Sequence, residues 1–249
     1  MSNVTLALTF SLVLIALFIS YRQNLGLEKD MIIGSVRAVV QLTLVGFVLK
    51  FVFNLDNTPL TGIILLLMVY NAAAVAAKRG AGIACARRIS FGAILASLII
   101  TLGCLLAFQA ISFRPSEVIP ISGMVVGNSM VALGLLYRNL KSSFKDRREE
   151  VEVKLCLGAG PREAARALIR ESIRTAMIPT IDSMKTLGIV QLPGMMTGLI
   201  LAGTPPETAI KYQIMVMFML TGAVTIAGLI ASFWAYRGFF NRRAQLLDE

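Results

Sequence analysis

The chain contains no histidine. That removes the commonest proton shuttle, a leading transition-metal ligand and any H-E-x-x-H zinc motif. Cysteine is scarce as well: three residues in 249, with Cys85 and Cys156 in predicted cytosolic loops and Cys104 in a predicted span. No disulfide framework follows. Charged residues make up 15% of the chain, where a soluble domain carries about a quarter. No G-x-x-x-x-G-K-[ST] phosphate loop occurs, so the chain does not hold ATP in that way. Without a G-x-S-x-G elbow or a paired acidic motif, a membrane enzyme has no catalytic constellation to work with.

Apolar residues fill the space that charge leaves: 56% of the chain is hydrophobic and the mean hydropathy is +0.75. Several apolar runs approach or exceed the ~20 residues that carry a helix across a bilayer. An all-α, polytopic integral membrane protein is expected, as one domain over residues 1–249. The net charge of +10 would suggest a nucleic-acid partner in a soluble chain. Here Lys and Arg collect in loops, so no nucleic acid is expected and the partner surface is lipid.

Hydropathy places seven spans, at 4–20, 31–53, 61–77, 90–111, 118–137, 177–203 and 212–236. The first lacks the basic leader and cleavage site of a signal peptide and reads as a retained span. Basic loops alternate with loops nearly free of Lys and Arg. The positive-inside rule then puts the N-terminus out and the C-terminus in.

The stretch 177–203 is long enough to cross, yet Asp182 and Lys185 sit in its first half and Gln191-Leu192-Pro193-Gly194 interrupts its middle. Pro193 lacks an amide proton and should break the helix. Broken backbone at membrane depth is tolerated where protein covers it or where it lines a wet cavity. The stretch is therefore either a translocation element or a kinked packing helix whose Asp182 and Lys185 neutralise each other at i,i+3. Further path candidates are Arg37 and Gln41 on one face of the second span, Asn128 in the fifth, and Gly194, Met195 and Met196 beyond the break. Arg37 equally reads as a snorkelling side chain. Thioethers suit soft cations, and methionine also serves as flexible packing. Gly123, Gly127 and Gly134 line one face of the fifth span, where small residues admit a close helix neighbour. The residues single out no metal ligand set.

Segment 138–174 is the longest polar stretch, with ten Lys/Arg against six Asp/Glu. It reads as a cytosolic helix–turn–helix. The turn is Gly158-Ala159-Gly160-Pro161, and Pro161 opens the second helix in its favoured first position. Ala165, Leu168, Ile169, Ile173 and Ala176 form an apolar stripe along that helix.

Glu152-Val-Lys-Leu-Cys-Leu-Gly158 resembles the E-A-A-x-x-x-G loop by which many ATP-binding cassette (ABC) permeases dock to their ATPase. Glu152 and Gly158 match, while Val153 and Lys154 replace the two alanines. The larger pattern is GLEKD at 26–30, RAVVQL at 37–42, VIPISGMVVGNSM at 118–130, KLCLGA at 154–159, LPGMMTG at 192–198 and AIKYQIM at 209–215. By these motifs nearly the whole chain resembles the Fet-type permease family. The resemblance implies the membrane subunit of an ABC exporter in the bacterial inner membrane. Two copies would form the path, and a separate FetA-like ATPase would carry ATP-Mg, with no cofactor on this chain. It also implies coupling through Glu152, Gly158, Gly160 and Pro161. Bacterial members are linked to iron export and oxidative-stress resistance, plant relatives to aluminium tolerance with a nucleotide sugar as proposed cargo. The rival readings are an ATP-independent channel or secondary transporter, for which the long cytosolic segment has no obvious use, and a membrane enzyme.

Overall fold

A computed structural model describes residues 8–55, 57–241 and 243–247. The chain divides into two compact units, Met1–Asn57 and Thr58–Glu249. In the first unit α1 (Ser11–Arg22) and α2 (Glu28–Leu55) are joined by a short turn. Asn24 and Gly26 take positive φ there, and the Ser20 hydroxyl donates to Glu28 Oε1 at 2.7 Å. Leu42, Phe47 and Phe51 of α2 are exposed, as suits a helix whose surroundings are hydrocarbon.

The second unit contains α3 (Thr58–Arg79), α4 (Ala86–Ala107), α5 (Pro115–Asp146), α6 (Arg148–Cys156), α7 (Pro161–Ala164), α8 (Arg166–Thr186), α9 (Gly194–Leu201) and α10 (Pro206–Ala235), ending in a 3-10 turn, Tyr236–Phe239. α5 is central and packs on α3, α8 and α10, while α4 closes the group against α3 and α10. Small residues set these contacts: Ala73 and Ala76 on α3, Ala93 on α4, and Ala227 and Ala231 on α10 are fully buried. Such residues let backbones approach without a hydrophobic effect to drive them together. Interhelical hydrogen bonds add to this, from Ser97 Oγ to the Ala223 carbonyl at 2.7 Å and between Ser90 and Tyr137 at 2.9 Å.

Among the described residues five helices are long and apolar enough to span a membrane: Glu28–Phe53, Thr58–Arg79, Ala86–Ala107, Pro115–Asp146 and Pro206–Phe239. Two of the seven expected spans are not among them. The first, 4–20, is described only in part, as a 12-residue apolar helix, and its residues 4–7 lie outside the described residues. The sixth, 177–203, is not one helix. Met177 lies inside α8, which begins at Arg166, and the chain leaves helix at Leu187, well before Pro193. The piece beyond the break, α9, has eight residues, about 12 Å at 1.5 Å each, against a hydrocarbon core of about 30 Å. The expected boundary at 137/138 also disappears, because α5 runs on to Asp146.

Candidate functional site

The break is built from local backbone chemistry. After Thr186 the chain turns through Leu187 to Gly188, whose φ of +79° suits glycine. The Thr186 carbonyl accepts from the amide of Val190 at 2.9 Å, and the Gly188 amide donates to the Gln191 carbonyl at 3.0 Å. The loop thus satisfies polar backbone within itself, as a broken helix must. Pro193 caps α9 in an extended conformation, and its carbonyl accepts from both the amide and the hydroxyl of Thr197. Pro179, inside α8, removes the amide that would bond the Thr175 carbonyl.

Against α5 and α10 this broken element lines an open-sided cavity of about 310 Å³. Asn128, Pro193, Gly194 and Met195, singled out from sequence, meet in its wall. Thr180, Ser183, Gln191 and Gln213 join them, with Met124 and Met217. No Asp, Glu, Lys or Arg stands among the described residues of the wall. Asn128 donates through Nδ2 to the Met124 carbonyl at 2.8 Å, which leaves its amide oxygen over. Gln213 is only 8% exposed, and its Oε1 has no hydrogen-bond partner among the described residues. It was not singled out from sequence, although a lone uncharged polar residue in an apolar span is the signal to look for. Gln213 and Pro193 also border a second, apolar cavity of about 560 Å³, where Met196 lies.

The remaining candidates are not among the described residues of the cavity wall. Asp182 and Lys185 are exposed on α8 and form no ion pair with each other among the described residues. Arg37 and Gln41 are exposed on α2 of the first unit. Among the described residues no group of three His, Cys, Asp or Glu could hold a metal ion. On the glycine face, a Cβ at Gly123 would meet Met68 and one at Gly134 would meet the Arg79 side chain, whereas one at Gly127 would meet nothing within 4 Å.

The polar turn forms a second candidate surface. α6 ends in a Schellman motif: the Gly158 amide donates to the Leu155 carbonyl and the Ala159 amide to Lys154, each at 3.0 Å, with Gly158 at φ +91°. Gly160 precedes α7 in extended conformation and Pro161 is that helix's first residue. Arg148–Glu152 at 2.8 Å and Lys154–Glu150 at 2.6 Å brace α6 along its length, and Arg147–Glu171 at 3.2 Å ties its start to α8. The hydrogen bond from Lys154, and then its charge, hold the Glu150 carboxyl below the usual carboxylate range. Leu157 projects from the turn, 82% exposed. The C-terminal aromatics steady the neighbourhood, with Phe239 stacked on Phe144 at 4.2 Å.

The chain matches the uncharacterised protein family UPF0014 over residues 3–240. It is 48% identical to the "Probable iron export permease protein FetB" of Escherichia coli K12 over 246 residues, 99% of this chain and 95% of that protein. It is 40% identical to the "UPF0014 membrane protein YjkA" of Bacillus subtilis, covering 99% and 98%. It is 37% identical to the "Protein ALUMINUM SENSITIVE 3" of Arabidopsis thaliana, covering 94% and 86%. No solved structure matches the chain. These relatives align over nearly their full length, and the chain belongs to the UPF0014 family of membrane proteins, among whose members is the Fet-type permease.

Proposed function

We propose that the chain is the membrane subunit of an ABC exporter whose cargo is iron. The observation that carries this is the 48% identity to FetB across almost both full lengths. Two copies form the path, as a single integral domain each, in the bacterial inner membrane. Each chain crosses seven times, with its N-terminus out and its C-terminus in. Segment 138–174 is the cytosolic helix–turn–helix on which a separate ATPase docks. Glu152 lies within α6 of the docking element, Gly158, Gly160 and Pro161 shape its turn, and Leu157 is the apolar knob that enters a groove on the partner. The partner binds ATP-Mg and this chain binds no cofactor. Closure of the ATPase moves α6, and the Arg147–Glu171 pair passes that movement to α8 and so to the cavity. An ATP-driven path of this kind is supported by a polar, turn-forming surface that a channel or a secondary transporter would not need.

The test is reconstitution of the chain with its ATPase in vesicles. ATP-dependent movement of ferrous iron, with iron-stimulated hydrolysis, is the expected result. ATP-dependent flux of a nucleotide sugar without iron flux would replace the cargo, and iron flux that needs no ATP would overturn the ABC reading.

A further inference from the structure

An open-sided pocket of about 390 Å³ lies between the polar turn and the C-terminal tail. Gly160, Pro161, Arg162 and Glu163 form one wall, and Tyr236, Arg237, Phe240 and Asn241 form the other. The tail is held in shape by its own backbone. Phe240 and Leu246 pair as an antiparallel bridge, the Leu247 amide donates to the Phe239 carbonyl at 2.9 Å, and the Asn241 amide donates to the Gln245 carbonyl at 2.9 Å. Phe240 meets Tyr236 edge-on, with ring centroids 6.5 Å apart. Charge in the walls is unbalanced, with Arg162 and Arg237 against Glu163. All three are exposed, and neither arginine forms an ion pair among the described residues.

The level of the pocket follows from α10. Its apolar run ends at Ala235, and Phe233 and Trp234 on its last turn are 39% and 48% exposed. A tryptophan at the end of a span marks the level of the lipid headgroups. The Arg162 guanidinium lies 5.0 Å over the Phe233 ring, a cation–π contact. Arg237 follows Phe233 by four residues, about 6 Å along the axis. Both cations therefore stand at the membrane surface, at the end where the basic loops collect. A guanidinium presents a planar fork of donors that matches phosphate oxygens, and basic pockets at the cytosolic ends of spans take anionic headgroups. The volume lies within the range of small-ligand sites. We propose that this pocket holds the phosphate of an anionic phospholipid, with Arg162 and Arg237 as its binding residues and the acyl chains along Phe233 and Trp234. An acidic side chain of a docked ATPase would bring the same charge. The ring beneath Arg162, however, is exposed on an apolar span, so the site borders hydrocarbon. Gly160 and Pro161 belong both to this pocket and to the polar turn, so a bound lipid ties that turn to the C-terminal tail. This consequence for coupling rests on the exporter reading, whereas the lipid site rests only on the placement of α10 in a membrane.

Trp234 is the only tryptophan of the chain, so its fluorescence reports the lipids beside the site. The purified full chain is placed in vesicles of phosphatidylcholine with a fixed share of phosphatidylglycerol, and one lipid or the other carries bromine, a quencher of indole, on its acyl chains. Brominated phosphatidylglycerol should quench Trp234 more, molecule for molecule, than brominated phosphatidylcholine. Arg162→Gln combined with Arg237→Gln should reduce that preference at least about tenfold, since one basic side chain near an anionic lipid surface is worth about fivefold. Glu163→Gln removes the one like charge and should raise the preference. The thermal midpoint reads folding; if the double variant does not fold, Arg237→Gln alone carries the test, with a loss of about fivefold. Equal quenching by the two lipids in wild type, or an unchanged preference in the folded variant, overturns the site. Abolition of the preference by millimolar glycerol 3-phosphate gives the pocket to a soluble phosphate and overturns the lipid. Equal quenching together with loss of ATPase co-purification in the double variant gives it to an acidic side chain of the ATPase, and overturns the lipid as well. ATP-driven export, measured separately, distinguishes the two readings. Export without an arginine-dependent lipid preference sinks the site and leaves the exporter. An arginine-dependent preference without export supports the site and removes the exporter.

Discussion

Replacing Gly158 with valine tests whether the polar turn transmits ATPase movement. Gly158 has φ +91° and closes the Schellman motif through its own amide and that of Ala159. A Cβ placed there meets no atom within 4 Å, so the Cβ itself clashes with nothing in the rest of the chain. What remains is backbone strain, about 1–2 kcal/mol for an L-residue held left-handed and more for a β-branched one. In a chain of this length each kcal/mol shifts the midpoint by about 2–4 °C, so for valine the loss is expected to be no smaller than the roughly 2–8 °C of an ordinary L-residue if the turn holds its shape. If the turn relaxes instead, the two 3.0 Å bonds are lost and Leu157 is re-aimed. Both outcomes leave the chain folded in the membrane. The assay is co-purification with the ATPase, ATP hydrolysis and export from vesicles. Gly158→Val should co-purify and hydrolyse ATP at an iron-independent rate while failing to export. Gly158→Asn, which tolerates positive φ, should export. Normal transport by Gly158→Val refutes the coupling role, and an asparagine variant as impaired as the valine one refutes the backbone explanation.

Gly80→Ala should destabilise by about 1–3 kcal/mol, as overpacking does, because its Cβ would stand 2.8 Å from the ring of the fully buried Tyr137; a thermal midpoint equal to wild type would contradict this. A Cβ at Gly127 meets nothing within 4 Å, so with Gly127→Leu a loss of crosslinked dimer reports a second copy at that face, and an unchanged, active protein assigns the face to lipid. Asp182→Asn with Lys185→Gln should fold and bind the ATPase; failure to export assigns Asp182 a contact with the cationic cargo, whereas wild-type export reduces it to a surface charge, as its exposure and lack of an ion pair with Lys185 allow. Cys85 and Cys156 are exposed, so with Cys104→Ser an impermeant maleimide should label neither in intact cells and both after permeabilisation, while Ser116→Cys should label from outside; labelling of Cys156 in intact cells reverses the topology.

Composition and local chemistry were readable from the residues alone. Apolar runs report the solvent around a segment, so a membrane protein follows without any contact being known. Turn chemistry is partly local: Gly158 with Pro161 marks the end of one helix and the start of the next, whereas the break expected at Pro193 falls earlier, at Leu187, and Pro193 caps the helix that follows. Helix ends were less legible. Hydropathy marks where a membrane ends, and α5 passes through Arg138 to Asp146 because no glycine or proline stops its hydrogen bonds there. α8 likewise joins a polar stretch to an apolar one across Met177, and does so with Pro179 inside it. The cavity was the least visible, since its wall takes residues from four helices and the loop between two of them, and no periodicity relates Asn128 to Gln213. An unpaired Gln213 oxygen arises only after packing has removed water from around it, so its meaning lies in the tertiary arrangement.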